Sequence, residues 1–371
     1  MSKSIQIVCF DNPYPPNYGG TIDVFYKIKA LYVKGIDVYL HFYVTKQSDR
    51  TDTKPLEKYC KEIYTYKRNT TLLSHLSLKP FSVKSRSSKG LVQCLVKISF
   101  PVLYEGLNTT ATLKVIAAKG LKTYVRLHNI EHNYFKNIGD LEYSFFKKVY
   151  YNFEAWRLKK YQSQLKFADI LFSISLNDQK YFSNLFRDVR YLPVFQSKTE
   201  LQESKLQEYC LFHGDLRLSD NIRAADFLID FFSSKPNRKL IIASSFDNAM
   251  ISQRIANANN ITFKIIESLQ DLEQLFAKTA IHILISYQAS GIKLKLLNAL
   301  HTNTVVLVNK YMIEGTGLES CCELFNNESE LNDKVEKFYG MPISPSQRTE
   351  RMKVLSEFNP NNSIDLLIEC L

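Results

Sequence analysis

The segment RLHNIEHNY, residues 126–134, is the densest group of polar side chains to follow an apolar run. The run KTYVRL before it predicts that His128 lies on a loop at the end of a strand. An imidazole at that position can orient or polarise a hydroxyl or a phosphate group, which makes His128 the candidate catalytic residue. The His-x-x-Glu-His spacing also matches inverted zinc peptidases, but a loop position for His128 disfavours zinc, because both histidines would need one helix face. A structural pair formed by His128 and His132 is the remaining alternative.

A second candidate is the segment FDNPYPPNYGGT, residues 10–21, in which prolines precede Gly19 and Gly20. The two glycines stand where a helix is predicted to begin, and bare backbone N–H groups at a helix start favour an anion such as phosphate. The chain contains no GxGxxG pattern, so this is not a dinucleotide fingerprint. The alternative is a glycine-rich turn that holds no ligand.

Two further segments place glycine or lysine near the predicted start of a helix. In SGIKLKLLNAL, residues 290–300, Lys293 beside Gly291 is explained by a bound anion, since the helix dipole disfavours a lysine there. In FHGDLRLSDN, residues 212–221, Gly214 ends a strand and suggests close approach of a ligand. The alternatives are a surface lysine in the first segment and a structural turn in the second.

Composition predicts a folded, two-domain protein. The chain has 371 residues, 45% of them hydrophobic, including 22 Tyr and 24 Phe, which is enough apolar surface for two cores. Its seven cysteines form no CxxC pair, so neither a disulfide framework nor a structural zinc site is indicated. The short apolar run at the N-terminus does not resemble a signal peptide, and no stretch approaches 18 apolar residues. We therefore expect a cytoplasmic protein.

The net charge of +11 arises in the first half, where residues 1–190 carry 30 Lys and Arg against 15 Asp and Glu. Residues 50–104 alone hold 11 basic and 3 acidic residues, interleaved with Phe, Leu and Val. Such a stretch could lie on an anionic bilayer, bind nucleic acid or be a solvated face. No RNA- or DNA-binding module is recognisable, so nucleic acid is not the expected partner.

Strand and helix patterns alternate through both halves of the chain, with a break at the proline and polar run of residues 190–207. The predicted fold class is α/β, with two Rossmann-like doubly wound domains facing across a cleft. The predicted domains are 1–192, which binds the acceptor, and 207–345, which binds a nucleotide sugar. Residues 346–371 are predicted to form helices that pack back toward the first domain.

These segments together resemble the retaining nucleotide-sugar glycosyltransferases of the GT-B fold, in particular bacterial members that build cell-surface polysaccharides. The loop PPNYGG looks like their acceptor and phosphate loop, and YEGLNTT and RLHNIEHNY are similar to segments of the same domain. GIKLKLLNALHTNTVVLVNKYMIEGTGLE looks like their donor-binding segment, with a Glu-Gly turn at Glu314. The resemblance covers nearly the whole chain.

The resemblance implies sugar transfer with retention from a UDP- or GDP-linked donor to a glycan or lipid-linked acceptor. No cofactor or metal is expected, since no DxD signature is present. The acceptor and phosphate loop would contain Gly19 and Gly20, with His128 as the catalytic residue and Arg126, Asn129 and Glu131 binding substrate. The donor would be bound by Gly214, Arg217, Gly291, Lys293, Asn298 and Glu314. The basic stretch would then hold the enzyme peripherally on the anionic inner face of the plasma membrane.

The chain departs from the family pattern at four positions. Ser290 and Asn298 stand where many members carry two glutamates, and Asp215 and Asp220 stand where many carry Arg and Lys. These departures support a second hypothesis, a catalytically silent GT-B-like binding or partner subunit.

Overall fold

The computed structural model describes residues 3–16, 19–45, 53–75, 77–142, 144–196, 201–202, 208–288, 291 and 293–371. These residues form two compact units. The first contains the described residues of 1–197 together with Gly291 and Glu357–Leu371, and the second contains those of 198–289 and Lys293–Ser356. The predicted boundary at 190–207 lies in part outside the described residues, at 197–200 and 203–207.

The first unit is built on a seven-stranded parallel sheet with the strand order β3-β2-β1-β4-β5-β6-β7. Its strands are β1 (Ser4–Cys9), β2 (Asp37–Val44), β3 (Glu62–Lys67), β4 (Val102–Glu105), β5 (Thr123–Leu127), β6 (Ile170–Ser173) and β7 (Val189–Tyr191). Helices cover both faces, so the central strands are buried on both sides and appear in the sequence as unbroken apolar runs. In β1, Ile7 belongs to the same core as Ile28, whereas Val8 belongs to the core on the other face, with Leu158.

The helices of the first unit up to residue 196 are α1 (Gly19–Val33), α2 (Lys54–Glu57), α3 (Leu72–His75), α4 (Phe81–Lys84), α5 (Lys89–Ile98), α6 (Leu113–Ala118), α7 (Glu131–Leu141), α8 (Phe145–Tyr161) and α9 (Leu176–Ser183). Short 3₁₀ helices span Leu107–Thr112 and Gln162–Phe167. Helix α1 stops where the sequence predicts, because Gly35 adopts a left-handed φ of 72° that other residues avoid.

The second unit repeats the architecture with a six-stranded parallel sheet in the order β10-β9-β8-β11-β12-β13. Its strands are β8 (Tyr209–His213), β9 (Leu240–Ser244), β10 (Ile261–Ile265), β11 (Thr279–Leu284), β12 (Val305–Val308) and β13 (Glu323–Leu324). Its helices are α10 (Ser219–Ser233), α11 (Ala249–Arg254), α12 (Leu269–Ala277), α13 (Leu294–Leu300), α14 (Lys310–Ile313), α15 (Glu328–Phe338) and α16 (Pro345–Ser356). The last helix, α17 (Pro360–Ile368), packs in the core of the first unit beside α1.

The prediction of two doubly wound parallel α/β domains is confirmed, since both sheets have the Rossmann strand order. The boundaries differ in places. The helix predicted from Gly291 begins at Leu294, and the sequence patterns missed β3, β4, β7 and β13. None of the described helices combines the length and the apolar character that crossing a membrane requires.

Candidate functional site

Charged side chains converge at the carboxyl end of the first sheet and form what we call the buried charge network, made of Asp23, Lys27, Glu105, Arg126 and His128. Helix α1 contributes the first two, one turn apart. Glu105 ends β4, Arg126 lies on the neighbouring β5, and His128 directly follows β5. Four of these side chains are at most 1% exposed, and only His128 reaches 14%.

Arg126 anchors one side of the network. Its Nε and Nη2 donate to the two oxygens of Asp23 at 2.7 and 2.8 Å, and its Nη1 and Nη2 donate to the carbonyls of Leu192 and Pro193, both at 2.9 Å. Burial opposes the charge on Asp23, but Arg126 and Lys27 outweigh it and hold the pKa of that carboxyl well below its usual range. Arg126 therefore ties α1 to the chain that follows β7, and its predicted contact with substrate stays a prediction.

Glu105 connects the ammonium of Lys27 to the imidazole of His128. Lys27 Nζ lies 3.0 Å from Asp23 Oδ2 and 2.5 Å from Glu105 Oε1, and His128 Nε2 lies 3.1 Å from Glu105 Oε2. Burial raises the pKa of Glu105, but Lys27 and the His128 hydrogen bond lower it more, so the carboxyl is held below its ordinary pKa. An ionised Glu105 accepts a hydrogen bond from the Nε2–H of His128, which fixes the ring and leaves Nδ1 as its second polar atom.

The oxygens and nitrogen of Asp23, Glu105 and His128 also lie within 4.8 Å of one another, as a metal site would require. Lys27 and Arg126 already neutralise the two carboxylates, and Lys27 Nζ bridges them as a shared cation would. A divalent ion would have to displace a buried ammonium, so the residues present do not fit a metal. Among the described residues His128, Glu131 and His132 form no metal-ligating group, because His132 lies inside α7 against the ring of Tyr181.

The ring of Phe10 contacts both the start of α1, where the predicted phosphate loop ends, and the ring of His128. Gly19 and Gly20 form the first turn of α1, and a Cβ added at Gly20 would lie 2.4 Å from Cζ of Phe10. The Phe10 ring in turn packs edge-on against His128, with centroids 6.0 Å apart. Gly20 thus makes room for an aromatic ring beside the imidazole, and the predicted contact of both glycines with phosphate stays a prediction.

Asn129 and Gly291 meet within the first unit. Gly291 has a φ of +67°, and a Cβ there would lie 2.5 Å from Asn129 Oδ1 and 2.8 Å from the carbonyl oxygen of His128. Only glycine fits this conformation and this approach to the backbone. The structure therefore places Gly291 beside Asn129, two residues that were selected from separate parts of the sequence.

Glu131 begins α7 and is partly buried. Burial raises its pKa to about 7, with Asp178 adding to the shift and Arg86 opposing it. A carboxyl with this pKa exchanges a proton near neutral pH, as general acids and bases do. Glu131 thus places a carboxyl that titrates near neutral pH three residues from His128.

In the second unit, Gly214, Asn221 and Lys295 form a chain of contacts. Lys295 Nζ donates to Asn221 Oδ1 at 2.7 Å and to the carbonyl of Ile285 at 3.3 Å. A Cβ at Gly214 would lie 2.9 Å from Cγ of Asn221, so this glycine lets Asn221 reach the lysine. Burial lowers the pKa of Lys295 to about 8. The sequence pattern indicated Gly214 but not Asn221 or Lys295, because these two look like an ordinary cap residue and an ordinary helix lysine.

Asp215 and Asp220, which depart from the pattern that the sequence resembles, both have partners in the second unit. Asp220 accepts hydrogen bonds from Ser286 Oγ at 3.0 Å and from the backbone N–H of Tyr287 at 2.7 Å, which fixes the loop after β11. Asp215 pairs with the predicted donor residue Arg217 at 2.7 Å, and the guanidinium lies over Phe246. Arg217 is 55% exposed, so its pairing with Asp215 is a surface contact.

The other predicted donor residues lie on and beside α13 and α14 of the second unit. Lys293 is the N-cap residue of α13 and has an extended backbone, while Asn298 lies within that helix. Glu314 follows α14, is 47% exposed and lies 3.9 Å from Lys310. Ser290 lies outside the described residues.

The fold matches solved structures along the full chain. Trehalose-6-phosphate synthase OtsA has a TM-score of 0.68 at 11% identity over 99% of this chain and 98% of that one. The chain has the GT-B fold. Staphylococcus aureus TarM, solved with fondaparinux, α-GlcNAc-glycerol and UDP, gives 0.67 at 11% identity over 99% of both chains. Anabaena HepE, solved with UDP and glucose, gives 0.64 at 16% identity over 100% of both.

Among curated proteins, the chain is 28% identical over 337 residues to a 44.6 kDa Klebsiella pneumoniae protein described as lying in the cps region. The match covers 85% of each chain. No family model matches the chain.

Proposed function

We propose that this GT-B protein is a glycosyltransferase of surface-polysaccharide synthesis, moving a hexosyl group from a UDP- or GDP-linked sugar to a glycan or lipid-linked acceptor. The observation that carries the proposal is the full-length match to a structure that holds UDP together with a glycan, at a TM-score of 0.67. The cps region of the Klebsiella relative, a name that suggests capsule polysaccharide synthesis, supports the pathway.

The donor chemistry is assigned to the second unit. Breaking the sugar–phosphate bond leaves a nucleoside diphosphate, and its growing negative charge must be stabilised. Lys293 and Lys295 stand at the start of α13, and Gly214 directly follows β8. The two lysines supply positive charge without a metal ion, and Asn298, Arg217 and Glu314 complete the donor set proposed for the second unit. The role of Gly291, which belongs to the first unit, in donor binding stays a prediction.

The acceptor chemistry is assigned to the first unit. His128 is the group of the buried charge network with measurable exposure, and Glu105 holds its ring in one orientation. An imidazole held in this way orients a sugar hydroxyl or polarises it. Gly19, Gly20, Arg126, Asn129 and Glu131 remain the proposed surroundings of the acceptor and its phosphate.

The second candidate is a catalytically silent binding subunit, which the engaged aspartates favour. Asp220 accepts hydrogen bonds from the loop after β11, and Asp215 forms an ion pair with Arg217 that neutralises its charge. A protein with these pairs presents fewer cations to a diphosphate than the family pattern supplies.

A panel of UDP- and GDP-sugars, incubated with the protein and lipid extracts from a capsule-producing bacterium, separates the two candidates. We expect nucleotide release with one donor, unchanged by EDTA, and a product whose anomeric proton coupling matches that of the donor. Binding of a donor with no turnover on any acceptor would support the silent subunit. An inverted product would contradict retention alone.

A further inference from the structure

The solvent-facing side of α8 is apolar. At 100° per residue, one third of the helix circumference carries a set of large apolar side chains opposite the buried Glu154 and Leu158. Their exposed fractions are 73% for Phe145, 84% for Phe146, 52% for Val149, 47% for Phe153 and 45% for Trp156. We call these five residues the aromatic face. Large apolar patches of this kind on a protein surface mark interaction sites.

The helix is fixed to the first unit from beneath, so the aromatic face is presented on a rigid support. Arg157 Nη1 donates to the carbonyls of His75 at 2.9 Å and Ser77 at 2.6 Å, and Glu154 accepts from the backbone N–H of Phe81 at 2.7 Å. These bonds also hold the loop that carries Leu78, which is 82% exposed. The loop belongs to the basic stretch of residues 50–104.

The charge on α8 is positive. Its exposed ionisable side chains are four lysines, Lys147, Lys148, Lys159 and Lys160, and Lys160 Nζ lies 3.9 Å from the centroid of the Trp156 ring. The one acidic residue of α8, Glu154, is buried and paired with Arg157 at 2.9 Å. No carboxylate of this helix therefore offsets the lysines at the surface.

Charge decides which partner fits. Two copies of the chain meeting through this face would bring two sets of lysines together, which costs free energy. An anionic bilayer attracts the lysines and accepts the aromatic rings at the boundary between headgroups and acyl chains.

We propose that the aromatic face of α8 docks on an anionic lipid bilayer. The proposal rests on the proposed function only in that a lipid-linked acceptor would lie at such a surface. The part of the protein that contacts the bilayer is then α8, not the whole basic stretch of residues 50–104.

Trp156 is the only tryptophan of the chain, so its fluorescence reports on this face alone. The full-length protein is mixed with vesicles of phosphatidylcholine and with vesicles containing about one third phosphatidylglycerol. We expect a blue shift of the Trp156 emission with the anionic vesicles, and quenching when the acyl chains carry bromine. Binding to anionic vesicles without either change would overturn the proposal, as would equal binding to both vesicles.

The double variant Phe146→Ser and Phe153→Ser is expected to lower the affinity for anionic vesicles about a hundredfold, from about tenfold for each ring. Leu185→Ser, at a 53% exposed site on another segment of the first unit, is the matched control and should bind as the unchanged protein does. Circular dichroism checks that each variant is folded. Equal affinity of the double variant and the control would contradict the proposal.

A blue shift that depends on protein concentration without vesicles would instead identify self-association and overturn lipid docking. None of these readouts needs a sugar donor, so failure of vesicle binding and failure of glycosyl transfer are distinguishable.

Discussion

At the scale of single residues, the chemistry of the first unit depends on charges that the sequence does not mark as buried. Asp23 and Lys27 are spaced i,i+4, the spacing of an ordinary surface ion pair on a helix. Both are buried because each has a charged partner far away in the sequence. Lys27 pairs with Glu105, 78 residues away, and Asp23 pairs with Arg126, 103 residues away. His128 could be selected from the sequence, because it follows an apolar run, but the carboxylate that orients it could not.

The network makes Lys27 a sensitive position. Replacing Lys27 with Met leaves Asp23 and Glu105 buried without their shared cation, and breaking a buried pair costs about 3–5 kcal/mol. We expect the free energy of unfolding of the first unit to fall by about that amount. Urea unfolding followed by the fluorescence of Trp156, which lies in this unit, measures the change.

The matched control is Lys34→Met, at the end of the same helix. Lys34 pairs with Asp365 at 2.7 Å, but the two side chains are 33% and 52% exposed, so its loss should cost at most about 1 kcal/mol. Equal destabilisation by the two variants would contradict the assignment of a buried network.

At the scale of elements, the sequence predicts long, buried strands well and short or peripheral ones poorly. The runs that became β1, β2 and β8 are continuous and apolar, as parallel strands covered on both faces must be. Strand β7 has three residues and β13 has two, too few for a periodic pattern, and β3 at the sheet edge is only partly buried. The helix α13 begins three residues later than predicted, which places Lys293 at its cap and turns Lys295 inward.

The contact between Gly214 and Asn221 gives a test of the second unit. Replacing Gly214 with Ala should push Asn221 away from Lys295, since the added Cβ would lie 2.9 Å from Cγ of Asn221. We expect the affinity for the donor nucleotide to fall at least about tenfold, the loss from one charge-assisted contact. Calorimetric titration with UDP and GDP measures it.

Gly90→Ala is the control for this substitution, because a Cβ there meets nothing closer than 3.6 Å. Should the Gly214 variant fail to fold, Asn221→Ala removes the same hydrogen bond without adding atoms beside the sheet. Undiminished affinity in a folded variant of either kind would show that Lys295 does not serve the donor.

At the scale of the whole molecule, the sheets of the two units have the same strand order. We assign the acceptor to the first unit and the donor to the second. Alternating strand and helix patterns were enough to predict two doubly wound α/β units, and the observed strand orders and the structure matches confirm that fold class. The excess of positive charge in residues 1–190 belongs to the first unit, whose α8 carries the proposed lipid-docking face. Sequence patterning could not identify that face, because α8 has apolar residues on both its buried and its exposed side.

The central claim is that the protein binds a nucleotide sugar through the second unit. Equilibrium titration of the full-length protein with UDP and with GDP tests it most directly, with Lys295→Met as the comparison. We expect saturable binding of at least one nucleotide, and about tenfold or more weaker binding by the Lys295→Met variant. Absence of binding for both nucleotides up to about millimolar concentration, with the protein folded, would contradict it.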